Sequence, residues 1–216
     1  MNIPTASISR CNLALLLAML GFSSAFAVDS GVVLQQSQTQ LRVTWSISAA
    51  ENGEVVFSLD ETKPLIESLG VAAAGQPVAV VLKALNPVTL LTVGSRDAKN
   101  PQGWGAFFDN PPQRPSETFL VALGKRRVQT TNEGNRTTIS LAEAAAGGFR
   151  GDVRFTFYRN SPLLHVETVM ITQEDWRAII YDTGLASAAP DWNAMAWHDT
   201  TGKFQSLKLD ATMVVD

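Results

Sequence analysis

The sequence predicts an all-β protein, two antiparallel sheets packed as a sandwich with at most one short helix. Period-2 alternation of apolar and polar residues recurs along the chain, whereas helical spacing is nearly absent. The alternating runs are short and numerous, the pattern of a sandwich or barrel. Beyond its first 27 residues the chain has no cysteine, since the only one is Cys11. Its fold must therefore be held by an apolar core, without disulfides or thiolate-bound metal.

The clearest strand comes early: Leu41, Val43, Trp45 and Ile47 alternate with Arg42, Thr44 and Ser46, which places Trp45 in the core. Further strands are expected over residues 54–59, 78–85, 88–93, 118–123, 127–131, 137–141, 152–158, 163–171, 177–181, 194–198, 204–209 and 212–215. The single helical turn is expected over 64–69, where Leu65, Ile66 and Leu69 follow Pro64. Lys125-Arg126-Arg127, the densest positive spot, lies between two of these strands and reads as a solvated turn.

Two hairpins can be read in more detail. A two-residue loop at Asn160-Ser161 pairs Phe157 with Leu164 and Phe155 with Val166 on one face, and Thr156 with His165 and Arg154 with Glu167 on the other. A slip of one residue would mix apolar and polar faces. The second hairpin, 194–198 with 204–209 around Thr200-Thr201-Gly202-Lys203, is expected to carry Ala194, Ala196, Leu207 and Leu209 on one face and Met195, Trp197 and Phe204 on the other. Apolar bulk on both faces predicts cover on both sides.

The N-terminus reads as an export signal. A polar start with one basic residue, Arg10, precedes the apolar run 13–22, and Ala25-Phe26-Ala27 fits the small-x-small pattern before a signal-peptidase cut. The run is about half the roughly 20 apolar residues a membrane span needs, and Cys11 precedes it, away from a lipid-anchor position. Residues 1–27 are therefore a signal peptide and 28–216 one secreted or periplasmic β-sandwich domain, with no stable membrane insertion after cleavage. Removing 27 of 216 residues leaves 189, with 16 basic and 20 acidic side chains once Arg10 is gone. A net charge of −4 without like-charge runs disfavours nucleic acid as a partner.

A resemblance rests on Gly148-Phe149-Arg150-Gly151-Asp152-Val153-Arg154-Phe155 followed by Tyr158-Arg159-Asn160-Ser161-Pro162-Leu163-Leu164-His165-Val166-Glu167. This strand, tight Ser-Pro turn and returning strand resembles the central hairpin of galactose-mutarotase-like β-sandwich modules of carbohydrate-active proteins. The resemblance covers about a fifth of residues 28–216 and implies a large twisted sandwich with a sugar site on a concave sheet face. The chain is also similar to the N-terminal part of longer exported proteins of unknown function.

Standard catalytic signatures are missing: there is no Gly-x-Ser-x-Gly, His-Glu-x-x-His, Gly-x-Gly-x-x-Gly or Walker loop. His165 and His198 are the only imidazoles. With Glu167 on the strand face of His165, and Asp199 beside His198, they form the catalytic candidates His165, Glu167 and His198, suited to moving a proton on a sugar ring as the resemblance implies. The competing account is an ordinary Arg154–Glu167 cross-strand ion pair beside a surface histidine, and no metal or cofactor is assigned. The aromatic segment 103–115 offers Trp104, Phe107 and Arg114 as carbohydrate-binding candidates, joined by Trp192 and Trp197. The same aromatics would equally serve as plugs over a core.

These features support three roles: a carbohydrate-binding or accessory module, a mutarotase-like sugar-processing enzyme, and a structural envelope protein. The strand-favouring residues 212–215 have neither turn signal nor polar tail after them. They predict either a longer sandwich or a last strand on an edge covered by another segment or by self-association.

Overall fold

The computed structural model describes residues 24–28, 31–96, 115–125, 127–187 and 194–208. The described chain contains no helix and is all-β. The first sheet is a meander of β1 (Ser24–Val28), β2 (Val32–Gln36), β3 (Gln40–Ser46), β4 (Glu51–Ser58), β5 (Ile66–Ala73) and β6 (Ala79–Ser95), each antiparallel to the one before. Two later strands complete its eight: β7 (Ser116–Leu120) and β13 (Arg177–Ser187) pair with opposite edges of the second half of β6. The second sheet holds five strands: β8 (Ala122–Leu123), β9 (Val128–Glu133), β10 (Arg136–Ala146), β11 (Phe149–Tyr158) and β12 (Leu164–Ile171). A separate hairpin consists of β14 (Ala194–His198) and β15 (Phe204–Lys208). The predicted cleavage bond after Ala27 falls inside β1, and residues 1–23 lie outside the described part.

The alternation read in the sequence becomes the core. Leu41, Val43 and Trp45 of β3 are buried, and with Val55 and Phe57 of β4 they face Ile139, Leu141, Val153, Phe155 and Phe157 of the second sheet. Phe57 and Phe155 meet with ring centroids 4.7 Å apart. At one end the sheets are stitched together: Trp45 packs against Phe157 at 5.1 Å, and its Nε1 donates to the Ser161 carbonyl at 3.0 Å. The Asn160 amide donates to the Ser46 carbonyl at 2.8 Å, so the tip of the β11–β12 hairpin is anchored to the end of β3. Gly53 makes room for this arrangement, because the Trp45 ring lies directly over it.

Several sequence expectations need correction. Residues 64–69 form no helical turn: Leu65 and Ile66 are both buried, Ile66 opens β5 opposite Leu85, and the Leu65 amide donates to Asn86 Oδ1 at 2.7 Å. Tertiary partners on β6 override the local helix-start signal. The two strands expected at 78–85 and 88–93 are one 17-residue strand, β6, running through Pro87. Proline is tolerated there because the β5 ladder ends at Leu85 and the β7 ladder begins at Leu90, so the missing N–H falls in a gap.

Lys125 is not solvated. It is 6% exposed, and its Nζ donates to the carbonyls of Asp60, at 3.1 Å, and Lys63. Burial pulls this ammonium below the usual lysine range, against the attraction of Asp60, Glu61 and Glu67. Arg127 is exposed, as a solvated turn requires, and Arg126 lies outside the described residues.

Candidate functional site

The β11–β12 hairpin adopts the expected register, with Arg154 opposite Glu167, Phe155 opposite Val166, Thr156 opposite His165 and Phe157 opposite Leu164. Asn160 takes the positive φ of 56° that a tight turn demands. His165 and Glu167 therefore share the outer face of the second sheet, with His165 exposed. The Arg154 guanidinium, however, is held by Asp152 on its own strand, Nε to Oδ2 at 2.9 Å. This hydrogen bond, more than the nearby Glu167 charge, raises the Arg154 pKa. The ordinary cross-strand ion pair expected from the sequence is thus replaced by an i, i+2 pair along one strand.

His198 sits on the separate hairpin at the end of β14, its ring edge-on to Phe204 at 5.6 Å. Its neighbour Asp199 does not serve as a carboxylate partner for chemistry. It accepts from the Thr201 hydroxyl at 2.6 Å, the Thr201 and Lys203 amides at 2.9 and 3.0 Å, and Gln205 Nε2 at 2.8 Å. These donors hold its pKa down to about 2. Asp199 organises the turn 199–203, which sets the strand register: Met195 lies opposite Leu207 and His198 opposite Phe204. Leu207 accordingly shares a face with Met195 and Trp197, and Phe204 shares one with Ala194, Ala196 and His198, a shift of one residue from the expected facing. All five residues of β14 are exposed, including Trp197, in place of the predicted cover on both sides. Among the described residues, no group of three or more His, Cys, Asp or Glu side chains is placed to hold a metal ion.

The carbohydrate candidates Trp104, Phe107, Arg114 and Trp192 lie outside the described residues, as does the stretch 209–216. A cavity of about 430 Å³ opens where β6, β7 and β13 end, lined by Gly94, Ser95, Pro115, Ser116, Glu117 and Arg177 among others. The chain leaves this rim after Arg96 and returns to it at Pro115.

One residue before Arg177, Trp176 is 57% exposed and held at a positive φ of 58°. For a bulky side chain this backbone conformation is a strained one that only surrounding contacts maintain. Here the Trp176 carbonyl accepts the Arg96 amide at 2.7 Å. The preceding turn is pinned by Thr172 Oγ1 donating to the Gly148 carbonyl at 3.0 Å, and by Arg177 pairing with Glu174. A guanidinium, a carboxylate and two serines thus line this cavity, and the exposed indole of Trp176 belongs to the residue before Arg177. No pattern of adjacent residues signalled this site, because Ser95, Ser116 and Arg177 are brought together only by the β6–β7 and β6–β13 ladders.

No protein-family model, curated protein or solved structure matches the chain. Among the described residues no helix is long and apolar enough to cross a membrane.

Proposed function

We propose that the protein is an exported β-sandwich module that binds carbohydrate, of the galactose-mutarotase-like kind, and that its sugar site is the rim formed by Trp176, Arg177, Glu117, Ser95 and Ser116. The observation that carries this reading is Trp176, a large aromatic exposed in a strained backbone geometry one residue before Arg177, which lines the cavity. Sugars are recognised by an aromatic plane for the C–H face of the ring and by charged or hydroxyl groups for its oxygens. The rim supplies Arg177, Glu117 and the two serines, and Trp176 is the exposed aromatic next to it in the chain.

The reading favours binding over catalysis. His165 and Glu167 lie on the outer face of the second sheet, His198 lies on a separate hairpin, and the Asp199 carboxylate is occupied by its turn. A glycan array probed with residues 28–216 tests the proposal, with Trp176→Ala alongside. The expected result is retention of at least one glycan class and a loss of about tenfold or more in its affinity in the variant, the range expected for removing a stacked aromatic. Retention that Trp176→Ala leaves unchanged, or no retention of any glycan, would overturn it.

A further inference from the structure

The row of side chains that meets the cavity at Arg177 continues along β13. Thr89, buried, touches Thr168 of β12 at 2.9 Å and Thr183 of β13 at 3.2 Å, so the odd-numbered residues of β13 point toward the second sheet. Arg177, Ile179 and Tyr181 therefore stand in one line on the inner face of the first sheet, about 7 Å from each to the next. Arg177 lines the cavity, and Tyr181 lies about 13 Å along the strand from it.

Exposure changes across this face. In the β6 ladder Ile179 lies beside Val93 and Tyr181 beside Leu91. Val93 and Leu91 are buried, packed with Phe149 and Met170 of the second sheet. One strand further out, Ile179 is 39% exposed and Tyr181 66%. The inner face is thus closed over β6 and open over β13, and the open part begins at the cavity.

A tyrosine so placed offers solvent an aromatic ring with a hydroxyl at its far end. Rings of this kind stack on the C–H faces of sugars. A ligand following the line from the cavity meets charged and hydroxyl groups at Arg177, Glu117 and Ser116, then the aliphatic Ile179, then the Tyr181 ring. Polar groups and flat carbon surface in succession match a glycan chain, whose rings present hydroxyl edges and C–H faces by turns. The line is too long for one sugar ring at Arg177 to reach Tyr181. Continuity with the cavity selects a longer member of the same ligand class over an unrelated protein partner.

Resting on the reading of the Trp176–Arg177 rim as a sugar site, we infer that the site takes an oligosaccharide chain and that Tyr181 is its distal stacking platform. The rim holds one end of the chain, and the inner face of β13 carries the rest.

Ladders of malto-, cello-, xylo- and chito-oligosaccharides, each from monosaccharide to hexasaccharide, test the inference when titrated against the 28–216 chain by ligand-observed NMR. In at least one ladder the longer members should bind about tenfold or more tightly than the monosaccharide. Tyr181→Ala should lose about fivefold or more on those longer members and leave the monosaccharide unchanged, whereas Tyr181→Phe, which keeps the ring, should retain the tight binding. Ile180→Ala, at a residue 60% exposed on the outer face of the same strand, should behave as the parent chain. No rise with length in any ladder, silence of all four included, would overturn the inference, as would a rise that Tyr181→Ala leaves intact. In either case a Trp176→Ala loss on the glycan array would leave the rim reading standing, so the two failures are told apart.

Discussion

Gly53 and Trp45 form the packing contact whose perturbation is most directly calculable. A Cβ at position 53 would lie 2.3 Å from Trp45 Cζ2 and 2.4 Å from Cη2, so in Gly53→Ala the indole must move by more than 1 Å to reach ordinary contact. Trp45 is 3% exposed and wedged against Phe157, and that movement breaks its 3.0 Å bond to the Ser161 carbonyl. Overpacking costs about 1–3 kcal/mol, and the lost hydrogen bond about 0.5–1.5 kcal/mol. Restricting the unfolded chain returns about 0.4–1 kcal/mol. The net loss is about 2.5 kcal/mol, which lowers Tm by roughly 5–10 °C in a domain of this size.

Gly184→Ala is the control. No atom lies within 4 Å of its added Cβ, so it should raise stability by about 0.4–1 kcal/mol through the unfolded chain alone. Thermal and urea unfolding followed by near-ultraviolet circular dichroism would report both the stability and the Trp45 environment. Gly53→Ala as stable as Gly184→Ala, with an unchanged aromatic spectrum, would refute the idea that Trp45 over Gly53 locks the two sheets together.

Other expectations follow from the same reasoning. Lys125→Met should cost about 1–3 kcal/mol in urea unfolding, because it leaves the carbonyls of Asp60 and Lys63 without their donor. The turn of the β14–β15 hairpin should loosen in acid. Asp199 has its folded pKa depressed to about 2, so its stabilising contribution is complete above the unfolded carboxylate value near 4. That contribution is lost as the pH falls toward and through 2, and amide exchange of Thr201 and Lys203 at stepped pH would show it; Asp199→Asn should abolish most of the dependence. Mass spectrometry of the exported protein should find Val28 at its N-terminus, whereas an intact Met1 in a membrane fraction would contradict signal cleavage.

The sequence by itself determined the fold class, most of the strands and one complete hairpin. Period-2 patterning is a local property: when Val43 and Trp45 point inward, Arg42 and Thr44 must point outward, whatever the rest of the chain does. The Phe155–Val166 register was legible for the same reason, since only one parity keeps both apolar faces together. Other local signals were present without being read, among them Gly147-Gly148, whose φ values of 51° and 83° form the two-residue turn between β10 and β11.

Tertiary structure alone decided the rest. Leu65 and Ile66 became strand because Asn86 and Leu85 waited on a neighbouring strand. Lys125 was drawn inside by carbonyls more than 60 residues away in sequence. The facing of the second hairpin was set by the hydrogen bonds Asp199 accepts within its turn. The Trp176–Arg177 rim could not be foreseen because its parts come from three strands joined by long-range ladders. Alternation specifies which side of a strand is buried; which strand lies beside it, and so which side chains share a site, depends on contacts between residues far apart in the chain.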